Sequence, residues 1–376
     1  MISSPIVYLL TLALVATFFS LLEKRTSLKV FDYVPAVVMI YASSMVLASL
    51  GAFDYNEEVN KIYSLTKTNL LPAMLFLMLL QVDLRSFVKL GKSLLTSYVL
   101  ALFSLGLGFI LVAYLFAFDK EMASAFGALA GSWTGGTANM IAVGSALEVQ
   151  QEAFGYALIV DSINYTFWVM FLLFLVPFAK FFNQFTQSEH TTRYQSDIGC
   201  ACTVGAKKYW LLIALSLLVS YLAQTLACEF SFINKTTTIV LIATLMGVIG
   251  SYTKLRELNG SSEIANTMLF IIVALIGSKA VFDSFSNIGV YIFAGFSILL
   301  IHAFIMFLGA KFFKLDLFSV AVASLSNIGG VASAPILAAA YNKSLVSVGV
   351  LMAIMGYLIG TFAGLFIGNI LIGIAR

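Results

Sequence analysis

The stretch GSWTGGTANM, residues 131–140, interrupts an otherwise apolar segment and decides how that segment can fold. The charge-free run around it extends from Met122 to Leu147, which is 26 residues and enough to cross a hydrocarbon core of about 30 Å. Two adjacent glycines weaken the backbone hydrogen-bond ladder that a helix needs inside a membrane. Either these glycines let a continuous helix pack closely against a neighbour, or the helix is interrupted here.

The composition of the chain is that of a polytopic membrane protein. Hydrophobic residues make up 61% of the sequence and charged residues only 10%, whereas a soluble domain carries about 25% charged residues. We therefore predict an all-α fold that spans the membrane several times. The first apolar segment, from Pro5 to Leu22, has no basic region before it and no small-residue cleavage site after it, so we interpret it as a retained helix.

The sequence lacks the motifs of several other function classes. It has no phosphate loop, nucleotide fingerprint or zinc-protease signature, which argues against an ATP-driven pump. Cys200 and Cys202 lie near His190 in the polar stretch 183–206, but a metal site would need more ligands at a firm spacing. We expect a solvated loop there, a structural role for Cys228, and neither a resident cofactor nor a metal ion.

Apolar runs with polar borders predict twelve membrane segments. A polar loop over residues 183–208 divides them into two groups of six, so that residues 1–182 form one half and residues 209–376 the other. The predicted segments are 5–22, 31–52, 69–82, 93–118, 122–147, 153–179, 209–229, 236–252, 263–280, 286–310, 317–341 and 344–375.

The two halves contain similar glycine motifs in their fifth segments. Residues 132–139 read SWTGGTAN and residues 326–333 read SNIGGVAS. The serine, the two glycines and the alanine align, and Asn139 aligns with the small polar Ser333. This match predicts an internal structural repeat, which is typical of transporters.

The basic residues indicate that the two halves are inverted relative to each other. In the first half they follow the first and third segments, and in the second half they follow the second and fourth. Basic loops face the cytoplasm. The change from loops after odd-numbered segments to loops after even-numbered segments therefore predicts inverted repeats and an N-terminus outside the cell. Six full crossings per half would instead make the repeats parallel, so inversion requires that one segment between the glycine motifs does not cross, or that a crossing was missed. The basic residues are Lys24, Arg25, Lys29, Arg85, Lys89 and Lys92 in the first half, and Lys254, Arg256, Lys311 and Lys314 in the second.

Asp161 is the only charged residue between Ala153 and Pro177. It lies about 12–13 Å into its segment, near the bilayer midplane, where a carboxylate costs about 2.5 kcal/mol or more to insert and by default marks a functional site. Asn164 and Tyr165 follow one turn later near the same helix face, as candidate substrate ligands. We interpret Asp161 as the group that couples transport to an ion or proton. The alternative is a structural aspartate that is bonded to a neighbouring helix or is permanently protonated.

His302 is a second ionisable residue near mid-membrane. It stands nine residues, about 13 Å, before Lys311 in the apolar sequence SILLIHAFIMF. Histidine titrates near neutral pH, so His302 is a candidate for coupling or substrate binding. A neutral histidine that only packs within the protein is the equal alternative.

Helix breaks at 131–140 and 325–335 would create a polar site at the midplane. The half-helix N-termini would offer free N–H groups and partial positive charge, and the C-terminal ends free carbonyls, so the site could hold an ion or an anionic group. Pro335 removes one more backbone donor and favours the second break. The alternative is glycine-mediated packing of unbroken helices. The candidate substrate-binding residues are Ser132, Thr134, Gly135, Gly136, Thr137, Asn139, Asn164, Tyr165, Ser326, Asn327, Gly329, Gly330 and Ser333.

Five stretches resemble the domain-of-unknown-function 819 (DUF819) family of bacterial membrane proteins, and the resemblance covers nearly the whole chain. It implies a place in the superfamily of cation/proton antiporters and anion transporters, whose fold has inverted repeats, a panel domain, and a core domain with two crossing broken helices. The stretches are LPAMLFLMLLQVDLRSFVKLGK (71–92), LAGSWTGGTANM (129–140), LIVDSINYTFWVM (158–170), LLIHAFIMF (299–307) and VASLSNIGGVASAPILAAAY (322–341).

The resemblance also implies roles for two residues. In sodium/proton antiporters a carboxylate on the helix after the first break carries the ion or proton, and Asp161 occupies that kind of position. Many of those antiporters have two adjacent carboxylates, whereas Ser162 follows Asp161 here, which puts two-proton exchange in doubt. Some members carry a basic residue on the helix before the second break, and His302 falls on that helix.

We therefore expect a secondary active transporter with alternating access, coupled to H⁺ or Na⁺, that moves a small anionic organic solute across the bacterial cytoplasmic (inner) membrane. A cation/proton antiporter is the alternative. A membrane-embedded enzyme, or a receptor or scaffold without transport, belongs to another class and leaves the repeat unexplained. The expected partners are the substrate or ion and the lipid bilayer, without nucleic acid; a homodimer would accord with the superfamily resemblance.

Overall fold

A computed structural model gives the fold of residues 1–25, 36–80, 90–188, 206–229, 235–258, 260–279, 288–342 and 345–376. Regular secondary structure in these ranges is helical. The predicted cysteine–histidine loop at 190–202 and three of the basic residues, Lys29, Arg85 and Lys89, lie outside the described residues.

Within the described residues the chain forms fifteen α-helices. In chain order they are α1 (Pro5–Arg25), α2 (Ala36–Ser49), α3 (Glu57–Leu80), α4 (Gly91–Leu115), α5 (Lys120–Gly135), α6 (Thr137–Ala146), α7 (Gln151–Leu175), α8 (Ala179–Thr186), α9 (Ala206–Glu229), α10 (Lys235–Ser251), α11 (Ser261–Gly277), α12 (Ile288–Phe313), α13 (Leu317–Ile328), α14 (Gly330–Tyr341) and α15 (Val346–Ile374).

Each of the twelve predicted segments coincides with one helix or, at 122–147 and 317–341, with a pair of helices. In the described part of the chain, seven helices are long and apolar enough to cross a membrane, namely α1, α3, α4, α7, α9, α12 and α15. The prediction of an all-α polytopic membrane protein is confirmed.

One predicted segment, 69–82, is much too short. The helix there, α3, begins at Glu57 and continues through Pro72. Its first three turns carry polar residues, so a search for apolar runs missed them, although Val59 in the first turn is fully buried.

The described helices fall into two compact units, and each unit takes helices from both halves of the sequence. Unit 1 comprises Met1–Gln81, Glu148–Ser162 and Cys202–Gly289. Within it, α3 packs against α9, α10 and α11. The hydroxyls of Tyr8 and Ser278 are 2.6 Å apart and join α1 to the end of α11.

Unit 2 comprises Val82–Leu147, Ile163–Ala201 and Val290–Arg376. Its central helix is α15, which packs against α4, α5, α6, α13 and α14. Both glycine motifs are therefore in this unit. The loop at 183–208 does not separate the two compact units, and the assignment of one repeat to each half of the sequence stays a prediction.

Helices α5 and α6 form a helical hairpin with its tip at Gly136. A Cβ atom on Gly127 would lie 2.6 Å from Leu147 Cδ1, and one on Gly131 would lie 2.9 Å from the carbonyl oxygen of Asn139. In a continuous helix Gly127 and Leu147 would be about 30 Å apart. The chain reverses at Gly136, which has φ 86° and ψ 176°, a conformation open essentially only to glycine.

Helices α13 and α14 form a second hairpin with its tip at Gly329 and Gly330. The ring centroids of Phe318 and Tyr341 are 5.4 Å apart, whereas 23 residues of continuous helix would separate them by about 35 Å. Gly330 has φ 60°, a left-handed value that favours glycine. The chain thus reverses at a glycine pair in both motifs.

These reversals correct two sequence-based expectations. Segments 122–147 and 317–341 were predicted to cross the membrane, but each turns back on itself. The crossing broken helices implied by the superfamily resemblance are likewise not what these segments form. The physical reason is that each glycine pair interrupts its helix early, after the 16 residues of α5 and the 12 of α13, and the chain then packs back against its own first helix.

The two hairpins enter unit 2 from opposite ends, with α4 as the reference. Near the start of α4, the hydroxyl of Ser93 donates to Asp316 Oδ2 at 3.3 Å, and Asp316 immediately precedes α13. The first hairpin begins at Lys120, shortly after the other end of α4 at Leu115. Since each hairpin returns to its own starting end, the two tips point toward each other along the unit.

Candidate functional site

The tips of the two hairpins lie at nearly the same depth along α15. Gly349 lies against Pro335 of the second hairpin, and Gly356 lies against Gly135 of the first. From Gly349 to Gly356 is about 10 Å along α15, and from Pro335 back to Gly330 at the tip is about 8 Å along α14. The two tips are therefore within about one helical turn of each other in depth.

Two glycine stripes hold α5 against α15. A Cβ atom on Gly364 would lie 2.6 Å from Gly131 Cα, so only hydrogen fits between the two backbones. The contacting pairs are Gly127–Gly368, Gly131–Gly364 and Gly135–Gly360. The repeated four-residue spacing of glycines in both helices is the signal that the sequence analysis missed, because this spacing lets helix backbones approach closely.

The sequence left two alternatives for the first glycine pair, close helix packing or an interrupted helix. The structure shows both, at the adjacent residues Gly135 and Gly136. Gly135 packs against α15 as the last member of its stripe, and Gly136 makes the turn. The two glycines of the first motif therefore have different physical roles.

Thr134 and Asn139 use their hydrogen bonds to hold the first hairpin together. Thr134 Oγ1 donates to the carbonyl of Ala130 at 2.7 Å. Asn139 Nδ2 donates to the carbonyl of Gly135 at 2.7 Å, and Asn139 Oδ1 accepts from Thr361 Oγ1 at 2.5 Å. These two side chains are committed to the hairpin and to α15, which leaves little capacity for a ligand.

Within the glycine motif of the first hairpin, residues 131–140, only the turn is accessible. Gly136 and Thr137 are partly exposed, whereas Ser132 is buried with 2% of its surface accessible. Among the predicted ligands of this motif, Gly136 and Thr137 are the ones that a solute could reach.

The second hairpin carries buried polar atoms that make no hydrogen bond with the described protein. Ser326 Oγ and Asn327 Oδ1, in the last turn of α13, and Ser333 Oγ, in the first turn of α14, have no partner. Asn327 Nδ2 donates to the carbonyl of Ala323 at 2.9 Å, so only its oxygen is available. Buried polar atoms normally have partners, and an unpaired cluster calls for a water, an ion or a ligand.

Each hairpin has an outer helix N-terminus where the chain enters it (α5 and α13) and an inner one after the turn (α6 and α14). The outer and inner N-termini are capped differently. At the outer starts, Asp119 accepts from the amide of Met122 at 2.7 Å, and Asp316 accepts from the amide of Ser319 at 2.9 Å. The inner starts, α6 and α14, follow glycines and receive no side-chain cap. Because the first turn of a helix has N–H groups without intrahelical partners, both tips present amide donors and partial positive charge.

Helix α7 places three predicted residues in sequence order along one face. Asp161 lies ten residues, about 15 Å, after Gln151 and is partly exposed. One turn later, Asn164 is buried; its Nδ2 donates to the carbonyl of Ile292 at 3.4 Å, and its Oδ1 has no partner. Tyr165 is partly exposed. The boundary between the two compact units falls within this helix, after Ser162.

Tyr165 lies beside the tip of the second hairpin. A Cβ atom on Gly329 would be 2.6 Å from Tyr165 Cε2, so this glycine leaves room for the ring. Gly329 is itself partly exposed, whereas Gly330 is buried. The structure thus brings Tyr165, Gly329 and Ser333 together, and their role as one binding site stays a prediction.

His302 lies in a closed hydrogen-bond chain and is fully buried. Trp168 Nε1 donates to Ser324 Oγ at 2.9 Å, and Ser324 Oγ lies 2.8 Å from His302 Nε2. On the other side of the ring, His302 Nδ1 lies 2.6 Å from Ser104 Oγ, and Ser104 Oγ donates to the carbonyl of Ala101 at 2.9 Å.

One arrangement of protons satisfies every group in this chain. Ser104 donates to the Ala101 carbonyl and accepts from Nδ1–H of His302, while Ser324 accepts from Trp168 and donates to Nε2. Both nitrogens of a neutral His302 ring are then satisfied, which favours the packing alternative over proton carriage.

Among the described residues, no group of three or more histidine, cysteine, aspartate or glutamate side chains could hold a metal ion. Cys228, for which a structural role was predicted, is exposed near the end of α9. Among the described residues, the candidate functional groups are therefore Asp161, the predicted coupling residue, and the buried unpaired polar atoms of the second hairpin.

Comparison with known proteins places this fold in a family. A family model described as "Protein of unknown function (DUF819)" matches residues 10–374. A relative in Bacillus subtilis (strain 168), described as an uncharacterized membrane protein, YjcL, is 24% identical over 363 aligned residues, which cover 89% of each chain. These matches support the bilayer environment that the helices require.

Proposed function

Because the chain belongs to the DUF819 family of membrane proteins, whose function is unknown, its activity has to be argued from its own site, and we propose that it is a secondary active transporter of a small organic anion. The observation that carries the proposal is the pairing of two uncapped helix starts at one depth in unit 2. Such starts suit a carboxylate, because their amides donate to its oxygens and their partial charge is positive.

The side chains around the second tip fit the same ligand class. The hydroxyls of Ser326 and Ser333 can donate to a carboxylate oxygen or accept from a solute hydroxyl. Asn327 offers only its Oδ1, which suits a donor on the solute or a cation. Thr137 and Tyr165 are accessible and complete the polar lining. Neutral donors combined with helix starts favour an anionic solute over a bare cation as the principal cargo.

The two hairpins also support an inverted repeat. If neither hairpin crosses the bilayer, the first half crosses with α1, α2, α3, α4 and α7, and the second half with α9, α10, α11, α12 and α15. Five crossings per half make the repeats antiparallel, which removes the conflict with the positive-inside pattern. Hairpins that enter from opposite sides to one depth are what such an inversion predicts.

This topology gives one consistent orientation. With the N-terminus outside, the loops after α1, α3, α7, α10 and α12 are cytoplasmic, and these loops and the helix ends beside them carry most of the basic residues. The positions are Arg25, Lys92, Lys207, Lys208, Lys254, Arg256, Lys311 and Lys314. We infer a multi-pass protein of the bacterial cytoplasmic membrane with both termini outside.

Asp161 is the proposed coupling residue. A carboxylate near the middle of a crossing helix either binds Na⁺ or changes charge on protonation, and either event can be linked to the state of the anion site. His302 is not assigned this role, because both of its ring nitrogens are engaged. The proposed cycle needs no resident cofactor and no bond-breaking chemistry, only alternating access of the polar site.

Flux in proteoliposomes that contain a pH-sensitive dye tests the proposal. Small carboxylates and amino acids are added outside, with and without Na⁺, to wild type, Asp161→Asn and a matched control, Glu121→Gln. Glu121 is an exposed carboxylate at the outer start of α5, away from the tips. We expect coupled uptake of a carboxylate in wild type and in the control, and none in Asp161→Asn.

Other outcomes separate the alternatives. A proton signal with an alkali cation alone would identify a cation/proton antiporter. Coupled flux that survives in Asp161→Asn would remove Asp161 from the mechanism. The absence of flux for every anion and cation, from a protein that is folded and inserted, would contradict the transporter assignment.

A further inference from the structure

Unit 2 contains a polar cavity at the end where α4 begins and α12 finishes. Its volume is about 310 Å³. Lys92, Ser93 and Thr96 of α4, Gln187 after α8, and Phe313 and Lys314 at the end of α12 line it. The cavity is remote from the hairpin tips, since Asp316 beside Ser93 marks the outer start of the second hairpin.

The charge of this cavity suits an anion. Lys92 and Lys314 are the two basic residues that line it, and Thr96 and Gln187 are uncharged polar residues of the lining. Asp316, which accepts from the cavity residue Ser93, is buried, and its oxygens accept from Ser319 N at 2.9 Å, Ser319 Oγ at 2.7 Å and Ser93 Oγ at 3.3 Å. Asp316 is thus engaged as a helix cap, and among the described residues it pairs with neither lysine.

The short helix α8 indicates that this end of the unit lies at the membrane–water interface. It is amphipathic, with Phe181 and Phe185 exposed on one side. The ammonium of Lys311 lies 4.5 Å from the centroid of the Phe185 ring and donates to the carbonyl of Phe185. Aromatic residues and a lysine on a short amphipathic helix are typical of a segment that lies in the headgroup region.

An apolar groove of about 380 Å³ adjoins the same helix. It is bounded by α7, α8, α12 and α13, and its lining includes Phe171, Leu175, Phe182, Phe304, Phe307 and Val320. Helix α8 contributes Phe182 to the groove, and the residue after its end, Gln187, to the polar cavity. The turn between α12 and α13 contributes Lys314 and Leu315 to the polar cavity, and Leu317, at the start of α13, lines the groove. The Asn183 side chain joins α8 to α13, because its Oδ1 accepts from Leu317 N at 2.8 Å.

We propose that the cavity and the groove together form a binding site for an anionic phospholipid. The phosphate lies between Lys92 and Lys314, and an acyl chain runs past α8 into the groove. A basic cavity beside crossing helices at the interface recognises such headgroups. A free phosphate has no acyl chain that could fill the uncharged groove, so the groove selects a lipid over a free phosphate. This inference does not depend on the proposed transport activity.

Binding to the purified full-length protein tests the site. Native mass spectrometry counts the lipids retained from mixed micelles, and thermal unfolding is followed with dioleoyl-phosphatidylglycerol, dioleoyl-phosphatidylcholine or inorganic phosphate. We expect wild type to retain and be stabilised by phosphatidylglycerol in preference to phosphatidylcholine. In Lys92→Gln/Lys314→Gln the affinity for phosphatidylglycerol should fall about 30-fold, at about fivefold per lysine near a membrane surface.

Two further variants keep the result interpretable. Lys120→Gln/Lys254→Gln removes two exposed lysines elsewhere and should keep the preference. Lys92→Arg/Lys314→Arg keeps the charge and should also keep it, which excludes a mere folding defect. Equal retention of both lipids, an unchanged preference in the double Gln variant, or the same stabilisation by inorganic phosphate as by phosphatidylglycerol would each overturn the proposal.

Discussion

The rings of Phe318 and Tyr341 lie 5.4 Å apart in an edge-on arrangement, although 23 residues separate them in the chain. No continuous helix can bring these positions together, so the contact by itself establishes that residues 317–341 reverse direction. The reversal converts an apparent crossing into a hairpin that starts and ends on one side of unit 2. It also removes one membrane crossing from the second half of the sequence. The proposed inverted topology depends on the odd number of crossings that is left in each half.

A cysteine cross-link tests the hairpin directly. In a cysteine-free background, Phe318→Cys/Tyr341→Cys should cross-link with a short bifunctional reagent, because the two side chains touch. The matched control is Val350→Cys/Gly373→Cys, which has the same separation within the continuous helix α15 and should not react. Peptide mapping after proteolysis reads the linkage. A control pair that reacts as well as the hairpin pair would contradict the reversal.

The glycine stripe makes a stability prediction. In Gly131→Ala the added methyl would lie 2.9 Å from the Asn139 carbonyl oxygen and from Val143 Cγ2. Such overpacking costs about 1–3 kcal/mol, so the thermal midpoint in detergent should fall. Gly373→Ala is the control, because a Cβ atom there meets nothing within 4 Å. A neutral Gly131→Ala variant would show that α5 and α6 are further apart than described.

The unpaired hydroxyl of Ser333 predicts a loss of function without a loss of stability. Ser333→Ala removes a buried oxygen that has no partner in the protein, so stability should be unchanged or higher by about 1 kcal/mol. Transport should weaken, with a KM for the solute raised about tenfold, if that oxygen contacts the solute.

Ser324→Ala is the matched control one helix earlier. Ser324 accepts from Trp168 and donates to His302, so its loss should lower stability by about 1–3 kcal/mol. Measuring KM and thermal midpoint for both variants separates the two roles. Equal transport by Ser333→Ala and wild type would exclude Ser333 from the solute site.

The hydrogen-bond chain through His302 predicts a structural role for this residue. Gln has no geometry that spans Ser104 and Ser324 as the imidazole does, so His302→Gln should lose about 1–3 kcal/mol of stability. The pH profile of transport should keep its midpoint, since a neutral ring with both nitrogens engaged carries no coupled proton. A shifted midpoint in this variant, with the fold intact, would assign His302 to coupling after all.

Much of the site was predictable because its signals are local. The paired glycines and the small polar residues around them mark both turns, and a glycine is what φ 86° at Gly136 requires. The isolated charge of Asp161 in an apolar segment likewise needs no partner to be noticed. The availability of each polar atom was not predictable, because Asn139 is satisfied by Thr361 from α15, whereas Ser333 has no such neighbour.

The sequence by itself determined the membrane class, the positions of the apolar segments, the two glycine turns and the placement of basic residues, since hydrophobicity and backbone freedom are properties of short stretches. Only the tertiary structure decided that each turn reverses the chain and that the tips lie at one depth. Those outcomes depend on contacts such as Gly131 with Gly364, more than two hundred residues apart. After an interruption, the chain can continue in the same direction or fold back on itself. The close approach of α15 to α5 and α6 favours folding back.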